Sequence, residues 1–74
     1  MTDMIVAEIT DKGMHRLDSL KSRLEGSDVS EIEQVEIDEF GLLAGVSVYN
    51  VVLDDIPVGV YRAALKKGYI TSGE

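Results

Sequence analysis

The sequence contains no cysteine among its 74 residues, and it contains a single histidine. The absence of cysteine excludes a disulfide-stapled scaffold, a thiolate zinc site, an iron–sulfur cluster and a cysteine nucleophile. The histidine, His15, has Ser19 rather than a carboxylate at the helical i+4 position, so we expect it to be a surface residue and not a metal ligand. Stability is therefore expected to come from packing alone, with no metal and no cofactor.

Long hydrophobic runs are also missing. No apolar stretch approaches the roughly 20 residues that a membrane span needs, and the first residues have no basic flank of the kind that signal peptides carry. We therefore expect a cytoplasmic protein without membrane association. At 45% hydrophobic residues the chain forms one domain over residues 1–74, with 72–74 as a loose tail. A lone core of this size rarely supplies more than about 3–5 kcal/mol, so a homodimer is an alternative source of stability.

Basic residues are scarce, and none occurs between Arg23 and Arg62. Fourteen acids against seven bases give a net charge of −7, which repels phosphate backbones and favours a basic partner. The acids of this interval are either ordinary solvated surface or an electronegative docking surface. The residues that would form the docking surface are Glu31, Glu33, Glu36, Asp38, Glu39, Asp54 and Asp55.

The two ends of the sequence have clear secondary-structure signals. Residues 4–10 are rich in β-forming residues and place Ile5, Ala7 and Ile9 on one face, which predicts a strand. Residues 12–25 carry leucines at helical spacing after a Thr-Asp cap and predict a helix that ends at Gly26. A second helix is predicted from Pro57 to Gly68, because proline suits a first helical turn and glycine a helix end. Residues 69–71 predict a short edge strand.

The middle of the sequence is rich in β-branched residues. Val35 and Ile37 alternate with acids, so residues 32–40 predict a half-buried strand, and the valines of residues 46–53 predict a second one joined to it by a hairpin. Leu42 and Leu43 would then lie exposed at the hairpin tip and serve as apolar anchors for a partner. The predicted fold is a small α+β domain of βαββαβ-like order, with an antiparallel sheet and two helices on one face.

The segment from Leu43 to Val51 resembles the turn of a helix-turn-helix, in which an Ala-Gly-Val-Ser stretch links the supporting helix to the recognition helix. The resemblance implies that residues 40–44 end the supporting helix and that Gly45 makes the turn. It also implies a DNA-binding transcriptional regulator that uses residues 40–53 and the basic helix at 62–67. The nucleic-acid-binding residues would be Ser47, Tyr49, Asn50, Arg62, Lys66 and Lys67.

No Gly-rich phosphate loop, Ser/His/Asp set or EF-hand frame is present, so we expect no enzymatic activity. The first hypothesis is an acidic inhibitor or adaptor that docks on a basic protein surface, for instance that of a nucleic-acid enzyme such as a polymerase. Compact acidic domains of this kind are common among phage-encoded and regulatory factors. The helix-turn-helix regulator is the alternative. The conformation of residues 46–53 discriminates between them, because the regulator needs a helix there.

Overall fold

The two ends of the chain pair with each other in the computed structural model, which describes residues 6–26, 29–51 and 56–72. Strand β1 (Ala7–Ile9) and strand β2 (Ile70–Ser72) form a two-stranded antiparallel sheet in which Ile9 pairs with Ile70. Both terminal strands were predicted, although β2 includes Ser72, which the sequence analysis had assigned to the tail. Residues 4 and 5 of the predicted first strand lie outside the described residues.

Helix α1 (Asp11–Gly26) follows β1 directly, as predicted. Thr10 caps its N-terminus, since the hydroxyl of Thr10 accepts the backbone N–H of Gly13 at 3.0 Å. The same hydroxyl donates to the carbonyl of Gly68 at 2.5 Å. Gly13 is required here because a Cβ at this position would overlap the carbonyl oxygen of Tyr69. The start of α1 is thus fixed against the segment that leads into β2.

The centre of the chain is helical, and the two strands predicted there are wrong. After a short 3₁₀ turn (Val29–Glu31), helix α2 (Gln34–Tyr49) takes up most of the predicted hairpin, including residues 34–40 of its first strand and 46–49 of its second. Val51 follows α2 and forms an isolated antiparallel bridge with Val6, while residues 52 and 53 lie outside the described part. The valines were a poor guide because β-propensity mainly measures packing on a half-buried surface, which a buried helix also offers.

Helix α3 (Val58–Lys67) was predicted within one residue at its start. It ends at Gly68, whose φ of 81° is a left-handed conformation that glycine adopts without steric cost. The next residue donates its backbone N–H to the carbonyl of Ala64 at 2.9 Å, so the chain reverses at once and enters β2.

The observed order in the described residues is one strand, three helices and a second strand, rather than βαββαβ. The α+β class is confirmed, and so is the antiparallel sheet, but the two-helix layer on a larger sheet is not. Every helix and both strands contribute to the single core. No helix of the described part is long and apolar enough to cross a membrane. The core residues are Ala7, Leu20, Leu42, Leu43, Val46, Ala64 and Ile70.

Candidate nucleic-acid interface

Two arginines of α1 are held in ion pairs with α2. The Nε of Arg16 lies 2.6 Å from Oε2 of Glu39, and the Nε of Arg23 lies 3.1 Å from Oε2 of Glu36. The hydrogen bond from Arg16 to Glu39 raises the pKa of the guanidinium above its ordinary value, against the opposing effect of burial. Both pairs join α1 to α2, so these two arginines and two glutamates neutralise each other where the two helices meet.

The exposed face of α3 carries three of the remaining cations. Val60, Tyr61 and Leu65 pack against the core, and Ala64 lies within it, which turns the opposite side of α3 outward. None of the cations on that side is ion-paired with another described residue. The outward side of α3 consists of Val58, Gly59, Arg62, Ala63, Lys66 and Lys67.

A fourth cation, Lys12, lies near this surface because Lys12 and Lys67 both contact the ring of Tyr69. The two ammonium groups lie over this ring, with Nζ of Lys12 at 5.7 Å and Nζ of Lys67 at 5.9 Å from the ring centroid. These distances permit cation–π attraction. The backbone of Tyr69 is fixed by its N–H to Ala64 and by its carbonyl, which accepts the N–H of Thr10 at 3.0 Å. The start of α1 therefore lies beside the end of α3. We call Lys12, Arg62, Lys66 and Lys67 the basic surface.

A groove of about 440 Å³ separates α3 from the N-terminal half of α2. Val60, Ala63 and Ala64 form its α3 side together with Lys67, whereas Asp38 and Glu39 belong to its α2 side. The exposed valine Val35 lies at its mouth on α2. The groove thus marks the boundary between the basic surface and the acids of α2.

Four of the nine predicted docking residues are buried or held in ion pairs with α1. Leu42 and Leu43 are fully buried, so their predicted exposure at a hairpin tip is wrong. They occupy the inward face of α2, where helical rather than hairpin geometry places them. Glu39 is only 8% exposed, and it is paired as described above, as is Glu36.

The remaining predicted acids have different positions. Glu31 and Glu33 are exposed at the entry to α2. Asp38 is half-buried and accepts a hydrogen bond from the side-chain amide of Gln34 at 3.0 Å. Asp54 and Asp55 lie outside the described residues. The acidic surface that the structure does describe is therefore smaller than the predicted one and lacks its two leucine anchors.

The turn predicted at Gly45 is also wrong, because α2 continues through this residue to Tyr49. Ser47, Tyr49 and Asn50 therefore end a helix instead of beginning one. Asn50 donates its N–H to the carbonyl of Val46 at 2.8 Å, which completes the last helical hydrogen bond. Its φ of 58° is left-handed, and this conformation ends the helix. Of the residues singled out by the resemblance, those on α3 lie together on one exposed face.

Two members of this site were missed by the sequence analysis. Lys12 and Tyr69 are 57 positions apart, and only the pairing of the chain ends brings them together. Glycine-tyrosine after a helix was visible in the sequence, but it gave no indication that α1 begins beside it. In the sequence, Thr10 was identifiable as the cap of α1, but its hydrogen bonds to Gly68 and Tyr69 were not.

The described residues contain no group of three or more acidic, histidine or cysteine side chains that could hold a metal ion. Comparison of the chain with protein-family models, with curated proteins and with solved structures finds no match. The functional argument therefore depends on the geometry of this one chain.

Proposed function

We propose that this protein binds duplex DNA through the exposed face of α3 and acts as a small regulatory DNA-binding domain. The observation that carries the proposal is the basic surface, in which three cations lie on the exposed face of α3 and Tyr69 brings Lys12 beside Lys67, while Arg16 and Arg23 are engaged by α2. A protein of net charge −7 has few cations to distribute, and four of its seven lie on one helix and the neighbouring helix start. Phosphate contacts supply most of the affinity in such complexes.

The dimensions of α3 suit the major groove. An α-helix with its side chains is about 10–12 Å in diameter, and the major groove of B-form DNA is about 12 Å wide. The 10 residues of α3 extend about 15 Å along the helix axis at 1.5 Å per residue. Helix α2 and the β1–β2 sheet support α3 from behind. In this proposal the recognition helix is α3, one element later in the chain than the Leu43–Val51 resemblance implied.

The side chains of the exposed face divide into two roles. Arg62 lies in the middle of α3, where a guanidinium can donate two hydrogen bonds to the O6 and N7 atoms of a guanine. Val58 precedes it by one turn and offers methyl groups to a thymine methyl. Two lysines, Lys66 and Lys67, lie at the end of α3, and Lys12 lies beside them at the start of α1. We assign all three to phosphate contacts, which position a protein on DNA without specifying sequence.

The experiment is a fluorescence-anisotropy titration of a random-sequence pool and of duplexes selected from it, at several salt concentrations. Each phosphate contact lowers the logarithm of the affinity by about 0.9 per tenfold increase in salt. We expect Lys66→Ala and Lys67→Ala to weaken binding to all duplexes alike and to reduce that slope by about 1 each. Arg62→Ala is expected to reduce discrimination between the selected duplex and the pool by about 1–3 kcal/mol.

Arg23→Ala is the matched control, because Arg23 is an exposed cation of α1 outside the basic surface. It removes the same charge and should leave both the affinity and the salt slope nearly unchanged. Equal losses for Arg23→Ala and Lys66→Ala would show that only overall charge matters. No binding of any duplex at low salt would contradict the proposal outright.

A second candidate function is docking on a basic protein surface through the entry to α2. Glu31 and Glu33 are exposed there, and Val35 is 61% exposed beside them. In this function Val35 makes the apolar contact with the partner that the sequence analysis had predicted for Leu42 and Leu43. An arginine-rich peptide that perturbs backbone amide shifts only in residues 31–38, with loss of the effect in Glu31→Lys/Glu33→Lys, would favour this function.

A further inference from the structure

Helix α2 is apolar around its whole circumference in its second half. Its last ten residues, 40–49, include no charged side chain, although 28% of the chain is charged. One side of this stretch faces the core through Leu42, Leu43 and Val46. The other side is open, and Val48 and Tyr49 are 71% and 68% exposed. A helix that is hydrophobic on all sides is normally buried on all sides, so the open side lacks a cover.

The open side continues onto α1. Phe40, Ala44 and Val48 of α2 form a second groove of about 220 Å³ with Leu17 of α1. Met14, which is partly exposed, extends the surface at the Ser47 end, where the hydroxyl oxygen lies 3.7 Å from its sulfur. We call this the α1–α2 patch. It consists of Met14, Leu17, Phe40, Ala44 and Val48.

The border of the patch contains one charge of each sign. Asp18 and Lys21 both line the groove, three residues apart on α1, and neither is ion-paired with another described residue. In an interface with twofold symmetry the same surface faces itself, so Asp18 of each copy can face Lys21 of the other. A uniformly basic or uniformly acidic partner would satisfy one of these charges and leave the other beside a like charge.

We propose that the α1–α2 patch is a homodimer interface and that its occupant is a second copy of this chain. The net charge of −7 makes two copies repel each other over most of their surface, whereas the patch is uncharged at its centre and self-complementary at its border. Burial of the patch also adds apolar contact to a core that is small for an independent domain. The interface is separate from the basic surface, so each copy presents its own α3.

Sedimentation equilibrium of the full chain without DNA tests this inference. The expected result is a mass of twice 8.1 kDa, with a monomer–dimer equilibrium at protein concentrations below about 1 mM. Because no DNA is present, the result is independent of the DNA-binding proposal, and either can fail alone. A monomer at every concentration would overturn the inference.

Two sets of variants locate the interface. Val48→Lys is expected to raise the dissociation constant at least about tenfold. The control is Val35→Lys, which makes the same substitution on the same helix at a valine that is 61% exposed but outside the patch. This variant should leave the dissociation constant unchanged. Asp18→Lys is expected to weaken the dimer, and Asp18→Lys combined with Lys21→Asp should restore it. Circular dichroism checks that each variant is folded. Equal effects of the two valine variants, or no rescue by the charge swap, would overturn the assignment.

Discussion

Glu39 lies at a core position of α2, and Arg16 reaches over it from α1. The Glu39 side chain is 11% exposed, whereas the Arg16 side chain is 34% exposed, so the cation connects the buried acid to solvent. Besides the 2.6 Å contact, Nη2 of Arg16 lies 3.4 Å from Oε1 of Glu39. The pair fixes the position of α1 on α2, and it neutralises the negative charge of Glu39.

Removal of Arg16 should therefore cost more stability than removal of an ordinary surface arginine. Arg16→Met leaves the Glu39 carboxylate buried without its partner, and we expect a loss of about 1–3 kcal/mol in the free energy of unfolding, because an unsatisfied buried group keeps its desolvation penalty. Urea denaturation followed by circular dichroism measures this loss.

The more exposed pair provides the control. Arg23→Met removes the contact with Glu36, and since Arg23 is largely exposed the loss should stay within about 1 kcal/mol. The double variant Arg16→Met/Glu39→Leu should recover most of the stability lost in the single one. A larger loss for Arg23→Met than for Arg16→Met would contradict this account of the pair.

The helical pattern of α2 includes Glu39. Positions 39, 42, 43 and 46 have the i, i+3, i+4, i+7 spacing of a helix face, and all four are buried. The prediction of two strands depended instead on the alternation of Val35 and Ile37 with acids and on the valines of residues 46–53. Only the partner on α1, which no local pattern reveals, makes a buried glutamate acceptable.

The segments with strong end signals were predicted well, in contrast. Leucine spacing and the Thr10 cap located α1, and proline and glycine bounded α3. These signals are local, so a single sequence contains them. The basic surface was predicted only in its α3 part, because Lys12 joins it through the pairing of β1 with β2, a contact between the two ends of the chain.

Gly13 is expected to tolerate no side chain. Gly13→Ala would place a Cβ against the carbonyl oxygen of Tyr69 and Cγ1 of Ile9, so the start of α1 must move. We expect a loss of about 1–3 kcal/mol or more, as for other overpacked sites. Thermal unfolding measures it. Gly59→Ala is the control, since nothing lies within 4 Å of its added Cβ, and it should stabilise α3 by up to about 1 kcal/mol.

Asn50 ends α2 in a left-handed conformation, which β-branched residues adopt only at a cost. Asn50→Gly should be neutral or slightly stabilising, and Asn50→Val should lower the free energy of unfolding by about 1–2 kcal/mol. Chemical denaturation of both variants under the same conditions checks the difference. Similar stabilities for the glycine and valine variants would show that the helix does not end at this residue.

Tyr69 is expected to contribute to DNA binding without contacting a base, because its ring holds Lys12 and Lys67 in place. Tyr69→Leu removes the cation–π attraction, worth about 0.5–1 kcal/mol at an exposed site, and should weaken binding about two- to fivefold at constant salt. Tyr69→Phe keeps the ring and should bind nearly as the wild type. A loss of equal size in both variants would assign the effect to the hydroxyl group instead.

The most direct test of the account is the mapping of backbone amide chemical shifts during titration with a duplex selected from the random pool. If α3 is the DNA-binding helix, the duplex perturbs amides in α3 (58–67), around Lys12 and at Tyr69, and leaves residues 31–38 unaffected. Perturbations confined to residues 31–38 or to the α1–α2 patch, or no saturable change at low salt, would contradict the assignment of α3 as the DNA-binding helix.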